Sequence, residues 1–137
     1  MNDAPGILEN IRTADSNDIP GLVELVSENL EHLLPRTDED FRELIDTTWV
    51  AVEEGRIVGC ATLEVYSPKI SEIRNVAVRA GYRHKGYGQG LVNMAVNEAR
   101  ARGIRQILVV TSSPEYFEKL NFGPCLNEKY ALFWNGI

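Results

Sequence analysis

Residues 83–90 read RHKGYGQG, with glycines at positions 86, 88 and 90. An extended run precedes it and an amphipathic helical pattern follows it, so the glycines lie at a strand-to-helix turn. The first N–H groups of a helix have no intrahelical acceptor, and glycine lacks the Cβ that keeps an anion from the backbone. Because Arg83 and Lys85 add positive charge, the segment predicts a phosphate-binding loop at a helix start.

Better-known phosphate-binding motifs do not fit this loop. GYGQGL lacks the spacing of G-x-G-x-x-G, no acidic ribose-binding residue follows at a strand end, and the Gly-Lys-Ser/Thr ending of a P-loop is missing. A purely structural alternative also stands, in which the glycines permit a tight turn and the two cations are solvated. The loop alone therefore indicates an anion site without identifying its ligand.

Periodicity on both sides of the loop predicts an α/β domain with a mixed sheet. Apolar residues at helical spacing cover residues 87–102. Two earlier helices are expected: one from residue 19, whose apolar stripe includes Leu30 and ends before Pro35, and one after a capping box formed by Thr37 and Asp40. A short helix is predicted at residues 114–120. Strands are predicted at residues 8–13, 48–53, 56–66, 70–79, 106–111 and 130–134. Glu54 and Gly55, between the second and third of these, suit a tight hairpin turn, so those two strands are expected to pair antiparallel. The almost wholly apolar run at 106–111 is typical of a strand buried on both faces.

Composition favours one globular domain, residues 1–137, that binds a small molecule. The chain is 44% hydrophobic and 25% charged, and its net charge of −6 opposes nucleic acid or an anionic membrane as the main partner. No apolar run approaches a membrane span or a signal peptide. Cys60 and Cys125 lack metal-binding spacing, so reduced thiols and a cytoplasmic location are expected.

The pattern Arg83-x-x-Gly86-x-Gly88 resembles the signature of the GNAT N-acetyltransferase superfamily, flanked by EIRNVAVRAGYRHKGYGQGL before and through it and YFEKLNF after it. The resemblance covers nearly the whole chain. It implies the GNAT fold, an α/β (α+β) fold whose mixed, mostly antiparallel sheet of six to seven strands is splayed at the cofactor site, with about four helices. It also implies acetyl-CoA as cosubstrate and no metal.

The same resemblance assigns the cofactor to two segments. The pantetheine arm is expected to pair with Val76, Ala77 and Val78, and a backbone N–H near Val76 to polarise the acetyl carbonyl. The CoA pyrophosphate is expected to bind the N–H groups of Arg83, His84, Lys85, Gly86, Tyr87 and Gly88. His84 is otherwise a solvated spacer.

Four stretches (IRTADSNDIPGLVELV, LLPRTDEDF, GCATLEVY and EIRNVAV) are similar to the acetyltransferase domain of N-acetylglutamate synthase and its free-standing relatives. An amino acid acceptor is therefore the leading hypothesis. Those domains often carry a lysine where this chain has Glu64, and the inverted charge favours a cationic acceptor. Arg36 either contacts the acceptor or cofactor, or forms a surface ion pair with Asp38 or Asp40.

Glu72 is the candidate catalytic base. Because an ammonium group has a pKa of about 10, a base must deprotonate the amine at neutral pH. Many relatives carry a glutamate at this place, and alternation predicts that Glu72 shares a strand face with Val76 and Val78. The alternative is a strand-end carboxylate paired with Lys69 or Arg74.

Tyr116 is the candidate acid for the CoA thiolate. Many relatives have a tyrosine one residue later, where this chain has Phe117, and one residue turns a helical side chain by about 100°. A packed aromatic role for Tyr116, with the thiolate leaving through water or unassisted, stays open.

The predicted function is direct acetyl transfer from acetyl-CoA to the primary amine of a small metabolite. Two alternatives are an acyl-CoA-binding sensor or partner without catalysis and a peptide or protein N-acetyltransferase. Aromatic residues at 130–134 pack either within the domain or at a homodimer interface, and both arrangements remain open.

Overall fold

The computed structural model describes residues 7–123 and 134. Its helices are α1 (Ile19–Ser27), α2 (Asp38–Glu43), α3 (Tyr87–Ala101) and α4 (Pro114–Glu118), and its strands are β1 (Ile11–Thr13), β2 (Thr48–Glu53), β3 (Arg56–Val65), β4 (Ile70–Val78) and β5 (Gln106–Leu108). Apart from Trp134, the strand predicted at residues 130–134 lies outside the described residues, as does Cys125. None of the described helices is both long and apolar enough to cross a bilayer.

The five described strands form one mixed sheet in the order β1-β2-β3-β4-β5, in which only β4 and β5 run parallel. The predicted α/β class and the β2–β3 hairpin are thereby confirmed. Glu54 and Gly55 at its turn both have positive φ, 51° and 74°, as a two-residue hairpin of this twist requires. The strand count of the described part is five, against the six to seven expected for the whole chain.

Helices cover both faces of the sheet. On one face α3 buries the side chains predicted from its spacing, Leu91, Val92, Ala95 and Ala99, against Val58, Leu63 and Ile73. On the other face α1 and α2 bury Leu22, Leu25, Val26 and Phe41 against Val50 and Cys60. The start of α2 is the predicted capping box, in which the Thr37 N–H donates to Asp40 and the Asp40 N–H donates to the Thr37 hydroxyl.

Two predicted elements are shorter than expected. The strand predicted at 106–111 ends at Leu108, its three residues are half-buried or exposed, and Val110 is 74% exposed. The expectation of a strand buried on both faces was therefore wrong, because in the described part of the sheet β5 pairs only with β4. Helix α1 ends at Ser27, and Leu30, assigned to its apolar stripe, is half exposed.

Candidate active site

The sheet opens along β4. Strand β5 pairs with β4 only at Ile70, Ser71 and Glu72. From residue 73 to residue 78 that edge of β4 has no partner strand in the described part of the chain. An unpaired edge presents N–H and C=O groups to which another extended chain can bind. The open edge contains Val76, Ala77 and Val78, the residues predicted to pair with pantetheine.

A β-bulge lies at the middle of this edge. Thr62 faces Arg74 and Cys60 faces Ala77, so one residue of β3 is opposite both Asn75 and Val76. Asn75 has φ 57°, a left-handed conformation that asparagine tolerates better than most residues. Its buried side chain accepts a hydrogen bond from Nε of Arg36 at 2.9 Å. Asparagine is uncommon within strands, which was the sequence signal for this bulge.

The bulge inverts the alternation of side chains along β4. Before it, Ile73 packs in the cluster formed with α3, whereas after it Ala77 packs in the cluster formed with α1. Val76 and Val78 pack against the α3 cluster. Glu72, next to Ile73, consequently points to the α1 and α2 face. The prediction that Glu72 shares a face with Val76 and Val78 was wrong, because simple alternation ignores the extra residue.

The bulge conformation leads to a testable prediction about stability. The variants Asn75→Ala and Asn75→Gly lose the same side-chain hydrogen bonds, but only glycine adopts positive φ without a steric cost. We expect the glycine variant to be more stable than the alanine variant by about 0.5–1 kcal/mol, after glycine's greater loss of chain entropy is included. Urea unfolding of both variants measures the difference. Equal stabilities would contradict the left-handed assignment.

The loop after β4 presents a row of backbone donors. No backbone carbonyl within residues 7–123 accepts a hydrogen bond from the N–H groups of residues 83–89. His84 and Gly86 have φ of 66° and 100°, and α3 begins directly after Gly86. The predicted segment from Arg83 to Gly88 therefore forms a concentrated set of donors at the positive end of a 15-residue helix.

The arginine side chains at this loop contact neighbouring elements and anchor the loop, rather than projecting away from the protein. Arg83 donates through Nε to the carbonyl of Val78 at 2.9 Å and through Nη2 to Oδ1 of Asn29 at 2.9 Å. Buried Arg79, just before the loop, contacts Glu28 at 2.6 Å. Both arginines thus fasten the loop to the end of α1. The sequence suggested a free charge at Arg83, and it contained no signal for Arg79 or Asn29 as its supports.

Lys85 and Tyr87 connect the other side of the loop to the β2–β3 hairpin. Tyr87 is buried, donates a short hydrogen bond to Glu53 and accepts one from Asn10 at 2.8 Å. Lys85 Nζ lies 3.8 Å from the same Glu53 carboxylate. Burial, with the Glu53 hydrogen bond, raises the pKa of Tyr87. The loop is therefore anchored on both sides while its N–H groups have no backbone acceptor in the described part of the chain.

Glu72 lies beside a polar cleft on the α2 face, directly opposite Glu64, which lines that cleft. Its carboxylate accepts a short hydrogen bond from the Tyr66 hydroxyl, which also donates to Glu64 at 3.3 Å. Glu64 is directly opposite Glu72 across the strands and pairs with Arg74 at 2.5 Å. Within the described residues, neither Lys69 nor Arg74 forms an ion pair with Glu72. Nothing in the sequence pattern pointed to Tyr66 as its partner.

The same cleft continues towards α2 and the bulge. Its lining residues are Arg36, Asp40, Glu43, Leu44, Glu64, Arg74 and Asn75. The Thr37 hydrogen bonds of the capping box lower the pKa of Asp40, so this carboxylate stays charged. Arg36 contacts the bulge through Asn75, and no ion pair joins it to Asp38 or Asp40 in the described structure. The cleft thus lies on the face of β4 to which Glu72 points.

Tyr116 and Phe117 occupy different environments. Phe117 is buried and packs edge-to-face on Phe122, with ring centroids 5.6 Å apart. The Tyr116 ring points away from the core. Its hydroxyl lies so close to Gly88 that a Cβ at position 88 would overlap it. That Cβ would also lie 3.9 Å from Cγ2 of Val78. The Tyr116 hydroxyl is therefore at the first turn of α3.

Two other titratable residues lie outside this arrangement. Cys60 is completely buried, and burial raises the pKa of its thiol to about 12. It donates to the carbonyl of Asn75 at 3.0 Å, which agrees with the predicted packing role. The side chain of His84 is exposed, as expected for a solvated spacer.

Comparison with known sequences identifies relatives over most of the chain. Residues 17–122 match the profile of the Acetyltransferase (GNAT) family. An uncharacterized N-acetyltransferase of Chlorobaculum tepidum is 30% identical over 123 residues, which are 89% of this chain and 78% of that protein. An amino-acid acetyltransferase of Yersinia pseudotuberculosis is 32% identical over 85% of this chain, but the match spans only 27% of that longer protein.

Solved structures agree with the sequence relatives. The structure of Rv2747 from Mycobacterium tuberculosis, in complex with CoA and NLQ, has a TM-score of 0.79 at 29% identity and covers 83% of this chain and 71% of that one. N-acetylglutamate synthase from Neisseria gonorrhoeae, complexed with coenzyme A and N-acetyl-glutamate, has a TM-score of 0.75 at 29% identity, covering 80% of this chain and 27% of that one. With its open β4 edge and its α3 loop, this chain belongs to the acetyltransferase (GNAT) family and has the GNAT fold.

Proposed function

We propose that this protein transfers acetyl from acetyl-CoA to the primary amine of a small metabolite, with an amino acid as the leading acceptor class. One observation carries the proposal: the open edge of β4 leads directly to the N–H groups of residues 83–89, for which no backbone carbonyl in the described part is an acceptor. An extended arm ending in a pyrophosphate fits this surface, because the edge binds amides and the helix start binds an anion.

The proposed cofactor contacts follow from this surface. The pantetheine arm pairs with Val76, Ala77 and Val78, which brings the thioester to the bulge. The pyrophosphate accepts hydrogen bonds from the N–H groups between Arg83 and Gly88. Since the side chains of Arg83, Lys85 and Tyr87 are anchored elsewhere, the backbone supplies these contacts. Related proteins solved with coenzyme A support this assignment.

The proposed reaction is a direct transfer. Glu72 removes a proton from the acceptor ammonium, directly or through a water molecule, and the neutral nitrogen attacks the acetyl carbon. A backbone N–H at the bulge stabilises the negative charge on the carbonyl oxygen. The C–S bond then breaks and the nitrogen loses its second proton to water, which leaves a neutral amide, while the departing thiolate takes a proton from water or from an acidic side chain. Glu72 is opposite Glu64, which lines the cleft beside the bulge, so amine and thioester would meet next to this carboxylate.

The charged residues that line the cleft indicate which charge the acceptor should carry. Glu64 and Glu72 face each other across the strands, and Arg74 neutralises only one of them. Among the described residues, Asp40 and Glu43 add two carboxylates to the lining, against the single further cation Arg36. An acidic amino acid would bring another negative charge into this set, whereas a second amino group would be attracted. We therefore propose an amino acid or amine that carries a second cationic group.

Acceptor competition tests this proposal. We expect kcat/KM for L-lysine, L-ornithine or putrescine to exceed that for L-glutamate and L-glutamine by about tenfold or more, as one favourable charge contact allows. Acetyl-CoA-dependent release of CoA thiol measures each rate. The substitution Glu64→Lys should shift preference towards L-glutamate, while Glu54→Lys, at the distant hairpin turn, should not. A wild-type preference for L-glutamate would refute the cationic acceptor but not acetyl transfer.

One observation favours a second candidate, a binding protein without catalysis. Phe117 stands where many relatives carry a tyrosine, and its ring is buried in the core. A sensor would bind acetyl-CoA tightly and release no CoA thiol with any amine or peptide amine in the panel. Acceptor-dependent release would exclude it, and release only with peptides would favour a peptide N-acetyltransferase.

A further inference from the structure

The position of Tyr116 does not match that of an acid for the CoA thiolate. Under the proposed function, the thioester lies near Val76 at the bulge. The Tyr116 hydroxyl instead lies at Gly88, where an added Cβ would be 3.9 Å from Cγ2 of Val78. Two residues of extended strand separate Val76 from Val78, a distance of about 6.6 Å. This exceeds hydrogen-bond reach, so the hydroxyl lies at the phosphate end of the cofactor path rather than at the sulfur end.

The surroundings of this hydroxyl suit a phosphate contact. It lies at the first turn of α3, where the N–H groups of residues 87–89 have no backbone acceptor in the described part. Burial raises the pKa of Tyr116, and within the described residues no hydrogen bond engages its hydroxyl. A phenol with a raised pKa remains a donor across the neutral range. It is therefore an available O–H among backbone donors.

The sequence offset explains how the hydroxyl comes to this place. In α4, Phe117 is directed into the core, where it packs on Phe122. Tyr116, one residue earlier, is turned by about 100° from that direction and packs edge-to-face on Phe117, with centroids 5.1 Å apart. The buried phenylalanine thus fixes the orientation of its neighbour. A Cβ at position 88 would overlap the hydroxyl in this position, so the Tyr116 side chain would have to turn away from it.

We propose that Tyr116 is a cofactor-binding residue whose hydroxyl donates a hydrogen bond to the pyrophosphate of CoA at the first turn of α3. This inference rests on the proposed cofactor site and replaces the role of thiolate acid. The departing thiolate then takes its proton from water and not from Tyr116.

Kinetics with two thioesters, acetyl-CoA and S-acetylpantetheine, distinguish a phosphate-binding role of Tyr116 from a role as thiolate acid. The substitution Tyr116→Phe should raise the Kd for CoA, and the KM for acetyl-CoA, about tenfold, which corresponds to about 1.4 kcal/mol for a hydrogen bond to a charged group. The kcat should change less than about twofold. With S-acetylpantetheine, which has no pyrophosphate, wild type and variant should have equal kcat/KM. Tyr82→Phe, which removes a hydroxyl just before the loop, is the matched control.

Each other outcome overturns the assignment. A fall in kcat with both thioesters would restore Tyr116 as the acid at sulfur. Equal CoA affinity of wild type and Tyr116→Phe would leave the tyrosine a packing role only. Calorimetric binding needs no acceptor, so the result is independent of the amine. If the wild type itself binds no CoA, both the proposed function and this inference fail. If the wild type binds CoA and Tyr116→Phe binds it equally well, only this inference fails.

Discussion

Replacing Gly88 by aspartate is expected to abolish acetyl-CoA binding without destabilising the fold. Position 88 is in the first turn of α3, where a carboxylate interacts favourably with the helix dipole. The same carboxylate would lie beside the pyrophosphate, and two like charges about 4 Å apart repel by about 4 kcal/mol at an effective dielectric constant of 20. We therefore expect the Kd to rise by at least about 100-fold.

The controls for this prediction separate charge from bulk. Gly88→Ala adds only a Cβ, which the half-exposed Tyr116 side chain can avoid by turning outward, so the loss of affinity should be smaller. Gly123→Asp adds the same charge at a glycine with open space around it and should bind acetyl-CoA like the wild type. Calorimetry gives the affinities and thermal unfolding the stabilities. Normal binding by Gly88→Asp would show that the phosphates lie elsewhere.

The substitution Glu72→Gln is expected to reduce kcat by about 100- to 1,000-fold, the usual contribution of a positioned base. Glutamine keeps the size of the side chain and can still accept the hydrogen bond of Tyr66, so acetyl-CoA affinity should not change. The rise of the rate at alkaline pH should become flatter, because this carboxylate no longer removes the proton. Steady-state kinetics across pH, with calorimetry for the cofactor, measures both effects.

The matched control is Glu54→Gln at the exposed hairpin turn, which should retain wild-type kinetics. Wild-type kcat and pH dependence in Glu72→Gln would remove Glu72 from the mechanism. A large rise in the Kd for acetyl-CoA would instead give Glu72 a role in cofactor binding.

Local signals in the sequence were sufficient for most of the fold. The capping box at Thr37, the turn at Glu54 and the apolar face of α3 depend on interactions within a few residues, and all three are present. The length and burial of β5 were predicted wrongly, because an apolar run does not show how many strands pair with it in the sheet. That coverage is a property of the whole sheet.

The backbone conformation of the candidate loop was predictable from the sequence, but the contacts made by the side chains of the site were not. The glycines of residues 83–90 indicated a loop with free N–H groups, since this depends on local conformation. The direction of Glu72 depended on a single left-handed residue, Asn75, whose bulge reverses the faces of β4. The contacts of Arg83 with Asn29 and of Tyr116 with Gly88 join residues far apart in sequence, which no periodicity encodes.

In the proposed mechanism this chain binds acetyl-CoA along β4 and at the start of α3 and transfers its acetyl group to an amine. Release of CoA thiol from acetyl-CoA by the purified protein, with and without the amine panel and beside the Gly88→Asp variant, tests binding and transfer together. We expect release that requires an amine, matches the acetylated product in amount and is lost in the variant. Failure of the wild-type protein to bind acetyl-CoA, or equal release by Gly88→Asp, would contradict it.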